Sequence, residues 1–276
     1  MSKARHEGRF IVTKEHRRFL EFANAVRKHR YIGLCFGAAG VGKTLSAQHY
    51  VSANWQHAES LLREWGPRKR SDAKVYAALA KSRALFYVPR VGASPRSLRS
   101  EIEYLMGRAN DCIDQHLTRG KKPRKIDYLR DHVELVIVDE VERLSTSALE
   151  CLRDLFDRSD IGLLLVGMPG MEKRMARYPQ LYSRVGFAHH YRPLQGEELS
   201  FVLTRHWRKL GLSLDVHADF TDAQAIAAIA RITGGNFRLL HRLFVQIGRV
   251  LLMNEMTLIT DEVVNAARST LVIGAT

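Results

Sequence analysis

A glycine-rich run in the first fifth of the chain carries the clearest chemical signal. It follows the apolar residues 32–36 and precedes a segment with helical character. Glycine allows backbone N–H groups to turn inward, and the start of the next helix adds positive potential for an anion. The Lys43 ammonium and the Thr44 hydroxyl suit phosphate oxygens and Mg²⁺. The run therefore predicts a loop that binds nucleotide phosphates, although it specifies neither the base nor the reaction. The predicted contacts are Gly37, Ala38, Ala39, Gly40, Val41, Gly42, Lys43, Thr44 and Leu45.

Two acids come directly after a second apolar run. Asp139 and Glu140 follow Leu135-Val136-Ile137-Val138, a pattern typical of a strand buried on both faces of a parallel sheet. At such a strand end, Asp139 can join Thr44 in holding Mg²⁺. Glu140 can polarise a water molecule for attack on the γ-phosphate, as a general base.

Two arginines stand out by position among the 43 lysines and arginines, most of which are expected on the surface. Arg184 ends the run Leu181-Tyr182-Ser183-Arg184, just before the last expected strand. Arg238 follows Gly234-Gly235-Asn236-Phe237, where Asn236 is predicted to cap a helix and leave Arg238 on its first turn.

The elements that must position these residues alternate between strand and helix up to about residue 192. Beyond Pro193 only helical patterns remain. This order predicts an α/β fold, a parallel sheet flanked by helices, followed by a small all-helical lid. The domains are predicted as 1–195, including an N-terminal helix, and 196–276. Strands are expected at 32–36, 84–88, 135–138, 161–166 and 187–191, and lid helices at 196–210, 222–232, 237–253 and 260–270.

Two further local predictions concern helices. The helix after the glycine loop is expected to continue to about Trp55, and residues 56–83 are expected to form an inserted helical hairpin. Ser94-Pro95 reads as a helix start, with proline in the first helical position.

The composition favours a polyanionic partner. The chain has 276 residues, 43 Lys+Arg against 29 Asp+Glu, and a net charge of +14. Such an excess points to nucleic acid or an anionic surface, and nucleic acid leads because no apolar run approaches the roughly 20 residues of a membrane span. We also expect no secretory signal. Cys35, Cys112 and Cys151 are predicted to be buried thiols in a reducing cytosol, not zinc ligands or disulfides.

These motifs together resemble an AAA+ ATPase: the glycine loop, Asp139-Glu140 after an apolar strand, Ser183-Arg184 before the last strand, and the Gly-Gly-Asn-Phe-Arg run that ends at Arg238. More narrowly, residues 139–144 (Asp-Glu-Val-Glu-Arg-Leu), residues 165–169 (Leu-Val-Gly-Met-Pro) and Ser183-Arg184 resemble the transposition regulators TniB, TnsC and MuB, and more distantly IstB. The resemblance extends from about Phe10 to Ala267.

That resemblance implies roles for individual residues. Arg184 is expected to be an arginine finger that reaches the nucleotide site of a neighbouring subunit, and Arg238 is expected to be sensor 2. Ile11 and Val12 would line the adenine pocket. The implied cofactors are ATP and Mg²⁺.

The resemblance also implies a function. The protein would assemble as a homo-oligomeric ring or filament on double-stranded DNA in the cytoplasm, associated with the nucleoid. It would recruit and activate a transposase, with a target-selection protein as a further partner, and ATP hydrolysis would release it.

One departure from the AAA+ pattern concerns the rate. The fourth strand is expected to end in Val166-Gly167-Met168, where most AAA+ proteins carry a polar sensor-1 residue. Without that group the attacking water is poorly oriented. We therefore expect slow hydrolysis, suited to a timed switch.

The expected DNA contacts lie in basic segments of the chain. Their positions resemble those that face the central channel in AAA+ rings. Such contacts to phosphates bring affinity without reading sequence. The predicted residues are Arg96, Arg99, Arg119, Lys121, Lys122, Arg124 and Lys125.

Two other functions stay open at this point. A helicase loader or replication initiator is one; these usually append a partner-binding or DNA-reading domain, whereas only about 30 residues precede the first strand here. A signalling or scaffold NTPase that acts without DNA is the other; these generally carry repeats after the lid. A transposase gene or replication genes beside this one would decide on the helicase-loader or initiator alternative. A DNA-binding assay with and without ATP would decide on the signalling or scaffold alternative.

Overall fold

The computed structural model describes residues 10–64, 70–118, 131–214 and 220–271. The chain divides into two compact units. The α/β unit comprises Arg18–Ala39 and Lys43–Tyr191, and the helical unit comprises the chain up to Arg17, Gly40–Gly42 and the chain from Arg192 onward. Because this division is discontinuous along the chain, the boundary between residues 195 and 196 stays a prediction.

The α/β unit is built on a parallel sheet, which confirms the predicted fold class. All described strand pairs are parallel, and the strand order is β2-β3-β4-β1-β5. The strands are β1 (Ile32–Phe36), β2 (Ala84–Tyr87), β3 (Leu135–Val138), β4 (Gly162–Gly167) and β5 (Val185–His190).

Burial differs between the two edge strands of the sheet, β2 and β5. Every residue of β2, β3 and β4 is buried, whereas β5 at the edge alternates between half-buried and exposed residues. The register pairs Phe36 with Gly167 and Val138 with Leu165, so β1, β4 and β3 end at one edge of the sheet. Chain segments that follow these strands therefore start close together.

The helices of the α/β unit largely match the sequence patterns. The first helix begins in the helical unit and continues into the α/β unit, since the boundary lies between Arg17 and Arg18. The start at Ser94-Pro95 is confirmed, since the Ser94 hydroxyl accepts a hydrogen bond from Ser97 N at 3.1 Å. These helices are α1 (Lys14–His29), α2 (Lys43–Val51), α3 (Trp55–Arg63), α4 (Ala73–Ser82), α5 (Pro95–Leu117), α6 (Thr146–Arg158), α7 (Met171–Met175) and α8 (Pro179–Tyr182).

The prediction of one helix from the glycine loop to Trp55 is wrong. The helix α2 ends at Val51, and α3 begins at Trp55. Asn54 separates them because its side chain accepts a hydrogen bond from His57 N at 3.3 Å and so caps a new helix. Residues 56–83 then include α3 and α4, as the predicted hairpin requires.

The helical unit consists, in its described residues, of helices packed on one apolar core. Trp207 and Phe244 meet edge to face at 5.2 Å between ring centroids, and Ile11 belongs to the same core. After His190 the described residues form no strand, as predicted. The helices are α9 (Gly196–Lys209), α10 (Phe220–Thr233), α11 (Phe237–Met253) and α12 (Asp261–Ser269).

The cysteine prediction needs one correction. Cys35 and Cys112 are buried, but Cys151 is only partly buried. Its side of α6 faces the first turn of α5, where Cys151 Sγ donates to the Pro95 carbonyl at 3.3 Å. Among the helices described, none combines the length and apolarity needed to cross a membrane.

Candidate functional site

The glycine loop begins at the end of β1 with a position that only glycine can occupy. A Cβ on Gly37 would lie 2.3 Å from the carbonyl oxygen of Tyr191, the residue after β5. Further along, Gly40 and Gly42 have φ angles of +83° and +117°, in the region that L side chains rarely adopt. The glycine spacing is therefore a conformational requirement of this turn.

Lys43 lies at the start of α2 and is nearly buried, with 8% of its surface exposed. Its Nζ donates to the carbonyl oxygens of Gly37 at 2.6 Å and Ala38 at 2.9 Å. The ammonium is thus folded back over the loop. A phosphate in the loop would offer it anionic acceptors, which form stronger hydrogen bonds than neutral carbonyls.

Thr44 and Asp139, 95 residues apart, meet at the ends of their elements. Thr44 Oγ1 donates to Asp139 Oδ2 at 2.6 Å, and the Glu140 N–H donates to Asp139 Oδ1 at 2.9 Å. Asp139 is only 2% exposed. This burial raises the pKa of its carboxyl, and the two hydrogen bonds offset part of the rise.

These oxygens fit a magnesium ion. Mg²⁺ is a hard cation that proteins usually hold through one or two carboxylates, with water and substrate phosphates completing its octahedron. Thr44 and Asp139 supply such a donor pair next to Lys43. They are the residues that would hold the ion.

Glu140 follows in a left-handed conformation, with φ of +51°. Its carboxylate is ion-paired with Arg143, three residues on, through Oε2 and Nη2. Arg143 also donates from Nη1 to the Pro89 carbonyl at 3.1 Å, just past β2. Sequence reasoning missed Arg143, although the spacing of three residues within one turn was a usable signal.

Arg184 is held by a carboxylate of its own unit. Its Nε lies 2.5 Å from Asp157 Oδ1, and its Nη2 lies 2.8 Å from Asp157 Oδ2. Asp157 is in the last turn of α6, and nothing in the sequence linked it to Arg184.

The sequence pattern of the AAA domain matches residues 26–175, more than half of the chain. This chain belongs to the AAA domain family. A Staphylococcus aureus protein described as a potential ATP-binding protein is 39% identical to it, and the match covers 96% of this chain and 97% of that protein.

Solved structures share the AAA fold at low identity. The RuvB Holliday junction branch migration motor of Thermotoga maritima is 17% identical, with a TM-score of 0.55 over 95% of this chain and 70% of that one. The ORC2 protein of Aeropyrum pernix in its ADP form is also 17% identical, with a TM-score of 0.51 over 90% of this chain and 67% of that one.

The end of β4 is closely surrounded by side chains at Gly167. A Cβ on Gly167 would lie 2.8 Å from Met171 Sδ, 2.9 Å from Val141 Cγ2 and 2.9 Å from Glu142 Oε2. A longer side chain does not fit there without displacing these groups. The Glu142 carboxylate, which sequence reasoning did not single out, lies at this strand end instead.

In the helical unit of the AAA chain, Arg238 is exposed on the first turn of α11. The prediction that Asn236 caps this helix is confirmed, since Asn236 Oδ1 accepts from Arg238 N and Leu239 N at 3.1 and 3.2 Å. The Arg238 N–H also donates to the Gly40 carbonyl at 3.0 Å. The sensor-2 role of Arg238 stays a prediction.

The two residues expected around adenine differ in exposure. Val12 is 41% exposed, whereas Ile11 lines a cavity of about 370 Å³ in the helical unit. The Arg205 guanidinium lies 4.9 Å from the centre of the Phe201 ring at this cavity. The other lining residues are Thr204, Arg208 and Lys209.

Of the predicted DNA contacts, Arg96 is exposed near the start of α5. Arg99 is engaged by acids, since it donates to Glu103 and Asp154, each at 2.8 Å. Arg119, Lys121, Lys122, Arg124 and Lys125 lie outside the described residues.

Proposed function

We propose that this AAA protein binds Mg·ATP at the glycine loop and hydrolyses it to ADP and phosphate. The observation that carries the proposal is the 2.6 Å hydrogen bond between Thr44 and Asp139, beside the folded-back Lys43. It joins a phosphate-binding loop to a buried carboxylate that the apolar strand β3 positions. The potential ATP-binding protein of Staphylococcus aureus, 39% identical over nearly the whole chain, supports the same ligand.

Each residue of this site has a separate task in the proposed reaction. Lys43 and the loop N–H groups bind the β- and γ-phosphates, while Thr44 and Asp139 hold the magnesium ion. A bound magnesium ion neutralises phosphate charge as the reaction proceeds. Glu140 accepts a proton from the attacking water, once its carboxylate separates from Arg143.

Two substitutions test this assignment. Lys43→Ala removes the phosphate contact, so ATP binding should be lost in a direct titration. Glu140→Gln keeps the shape but cannot accept a proton, so it should bind Mg·ATP normally and hydrolyse it about 10²- to 10⁴-fold more slowly. Glu21→Gln, an exposed residue of α1, is the control with the same chemical change and should retain turnover. Unchanged ATP affinity in Lys43→Ala would exclude the loop as the nucleotide site.

We further propose that hydrolysis is slow and that Arg184 serves the nucleotide site of a neighbouring subunit. Support for slow turnover comes from Gly167, which has no side chain to orient the attacking water at the end of β4. Support for the finger role is the position of Arg184, immediately before β5 and partly exposed.

The biological role that fits these features best is regulation of DNA transposition. In this proposal the ATP-bound protein oligomerises on duplex DNA, recruits and activates a transposase, and leaves the DNA after hydrolysis. The motifs at 139–144, 165–169 and 183–184 support this group of AAA+ proteins, and the net charge of +14 supports a polyanionic partner.

Dissociation from DNA tests the release step. After ATP is added, Glu140→Gln should remain on labelled duplex far longer than wild type when competitor DNA is supplied. Equal off-rates, despite a confirmed loss of turnover in the variant, would contradict hydrolysis-driven release and leave the ATPase assignment intact.

A further inference from the structure

We infer that Asp157 is a positioning residue that holds the Arg184 guanidinium ready for the neighbouring nucleotide site. The inference rests on the finger role proposed for Arg184. It adds a residue of α6 to the hydrolytic machinery, one that the sequence motifs do not include.

The contacts of Arg184 fix both the position and the plane of its guanidinium. The Nε/Nη2 edge forms a bidentate pair with Asp157, at 2.5 and 2.8 Å. On the other side, Nη1 donates to the Gln180 carbonyl and, at 3.3 Å, to the Ser183 hydroxyl. Bidentate pairing of this kind adds geometric specificity to the attraction of opposite charges.

The backbone of Arg184 is also fixed. Its carbonyl accepts a hydrogen bond from Ile32 N at 3.0 Å, and its N–H donates to the Leu181 carbonyl at 3.1 Å. The side chain therefore starts from a defined point beside β1. Such pre-organisation matters because a free arginine side chain loses rotamer entropy when it docks.

Asp157 occupies an unusual place for an acid. It lies in the last turn of α6, where the helix dipole disfavours negative charge. Basic neighbours compensate: Arg153 Nη1 donates to Asp157 Oδ2 at 2.6 Å, and Arg153 Nε is held by Glu150 at 2.8 Å. The pKa of Asp157 is lowered, chiefly by its hydrogen bond from Arg184, so the carboxylate is charged at neutral pH.

This arrangement leaves donors for a phosphate. A guanidinium has five N–H groups, and the acceptors described above account for at most four of them. One Nη2 N–H remains, on a side chain that is 29% exposed. Asp157 can thus orient Arg184 without consuming all of its donors.

The test compares Asp157→Asn with Asp160→Asn in the full chain, in the presence of ATP, Mg²⁺ and duplex DNA. Asp157→Asn removes the charge but keeps the shape, so kcat should fall about tenfold to 100-fold with little change in KM, as expected for a misplaced group. Asp160, 91% exposed and paired with Arg30 at 3.4 Å, loses the same charge and should change kcat less than about twofold.

Two readouts separate positioning from a general structural effect. If Asp157 acts through Arg184, the double variant Asp157→Asn/Arg184→Ala should be no slower than Arg184→Ala alone. Mixing Asp157→Asn with Glu140→Gln should restore turnover, because the second protein supplies an intact finger and the first an intact site. Asp157→Glu, which keeps the charge, should recover part of the lost kcat and guards against misfolding as the cause.

The outcomes distinguish this inference from its premise. If Arg184→Ala is impaired while Asp157→Asn keeps or gains kcat, the positioning role is overturned and the finger stands. Additive losses in the double variant would also overturn it. If Arg184→Ala hydrolyses ATP normally, the finger role fails and this inference fails with it.

Discussion

At the scale of single residues, the proposed site contains a charge that folding itself disfavours. Asp139 is almost fully buried at the end of β3, and this burial raises its pKa despite the hydrogen bond from Thr44. An acid with a raised pKa in the folded state lowers stability at pH values above that pKa, where it must be ionised without full solvation. In the proposed function, a bound magnesium ion would use this carboxylate.

Asp139→Asn should therefore affect stability and binding in opposite directions. The thermal unfolding midpoint of the ligand-free protein should rise at neutral pH, and the gain should shrink on acidification as wild-type Asp139 becomes protonated. Stabilisation by Mg·ATP should be lost at the same time. Thermal scans with and without Mg·ATP would measure both, and a lower midpoint in ligand-free Asp139→Asn would contradict the argument.

The same raised pKa predicts how nucleotide binding depends on pH. Only the ionised carboxylate can hold Mg²⁺, so wild-type affinity for Mg·ATP should fall on acidification, starting at a higher pH than for an exposed aspartate. In Asp139→Asn this dependence should disappear. Titrations over a pH series provide the measurement, and a parallel pH dependence in both proteins would assign the effect to another group.

Arg143 offers a second prediction at this scale. Its ion pair with Glu140 occupies the carboxylate that is proposed to accept a proton from water. Arg143→Ala should free Glu140 and raise kcat, by at most about fivefold, because partly exposed pairs contribute about 0.2–1 kcal/mol. Arg143→Lys is the control that keeps the charge. Lower turnover in Arg143→Ala would show that Arg143 assists the reaction.

At the scale of elements, apolar runs and caps were sufficient to predict most of the fold. The run 135–138 is short, continuous and apolar, and it forms the fully buried strand β3. Asn236 predicts the start of α11, because its side chain can accept hydrogen bonds from N–H groups that the first helical turn leaves unpaired. Where a cap was overlooked, as at Asn54, the end of α2 was predicted at about Trp55 and lies at Val51.

The short helices α7 and α8 and the early start of β5 at Val185 were beyond such reasoning. The two helices each span little more than one turn, too short for the helical period to show, and β5 alternates in burial and so lacks a continuous apolar run. The candidate site divides in the same way. Lys43, Thr44 and Asp139 follow local motifs, whereas Asp157 reaches Arg184 only because α6 and the start of β5 are neighbours in the folded unit.

The end of β4 gives a prediction for an element. Gly167→Ser adds atoms where Met171, Val141 and Glu142 already lie within 2.9 Å of the new Cβ, so it should destabilise by about 1–3 kcal/mol. Gly107→Ala is the matched control: it lies inside α5 with open space around it, and it should stabilise by about 0.5–1 kcal/mol. Urea unfolding measures both, and a neutral Gly167→Ser would show that the side chains around Gly167 move aside without cost.

At the scale of the whole molecule, the positive charge is partly used inside the protein. Three arginines form ion pairs with acids of the α/β unit: Arg99, Arg153 and Arg184. Their charge therefore contributes to the structure of this unit, in addition to any ligand binding. The basic segment 119–125 carries no acid in its sequence. If the chain binds DNA, this segment is where the excess charge is most concentrated along the sequence.

Neutralising that segment tests the proposed DNA contact. The variant replaces Lys121, Lys122, Arg124 and Lys125 by glutamine, and its affinity for duplex DNA is measured over a series of salt concentrations. Each lost phosphate contact should reduce the slope of log K against log salt by about 0.9, so four contacts give a reduction of up to about 3.6. Binding by wild type should also be largely independent of sequence, because phosphate contacts do not read bases.

A control must remove the same charge elsewhere, since net charge alone changes association with a polyanion. Four exposed lysines of the described surface, replaced by glutamine together, serve this purpose: Lys28, Lys74, Lys81 and Lys173. With equal net charge in both variants, only the 121–125 variant should show the flattened slope. An unchanged slope in that variant would place the segment outside the DNA interface. An equally reduced slope in both variants would show that overall charge accounts for DNA binding. Such binding does not require a specific DNA site.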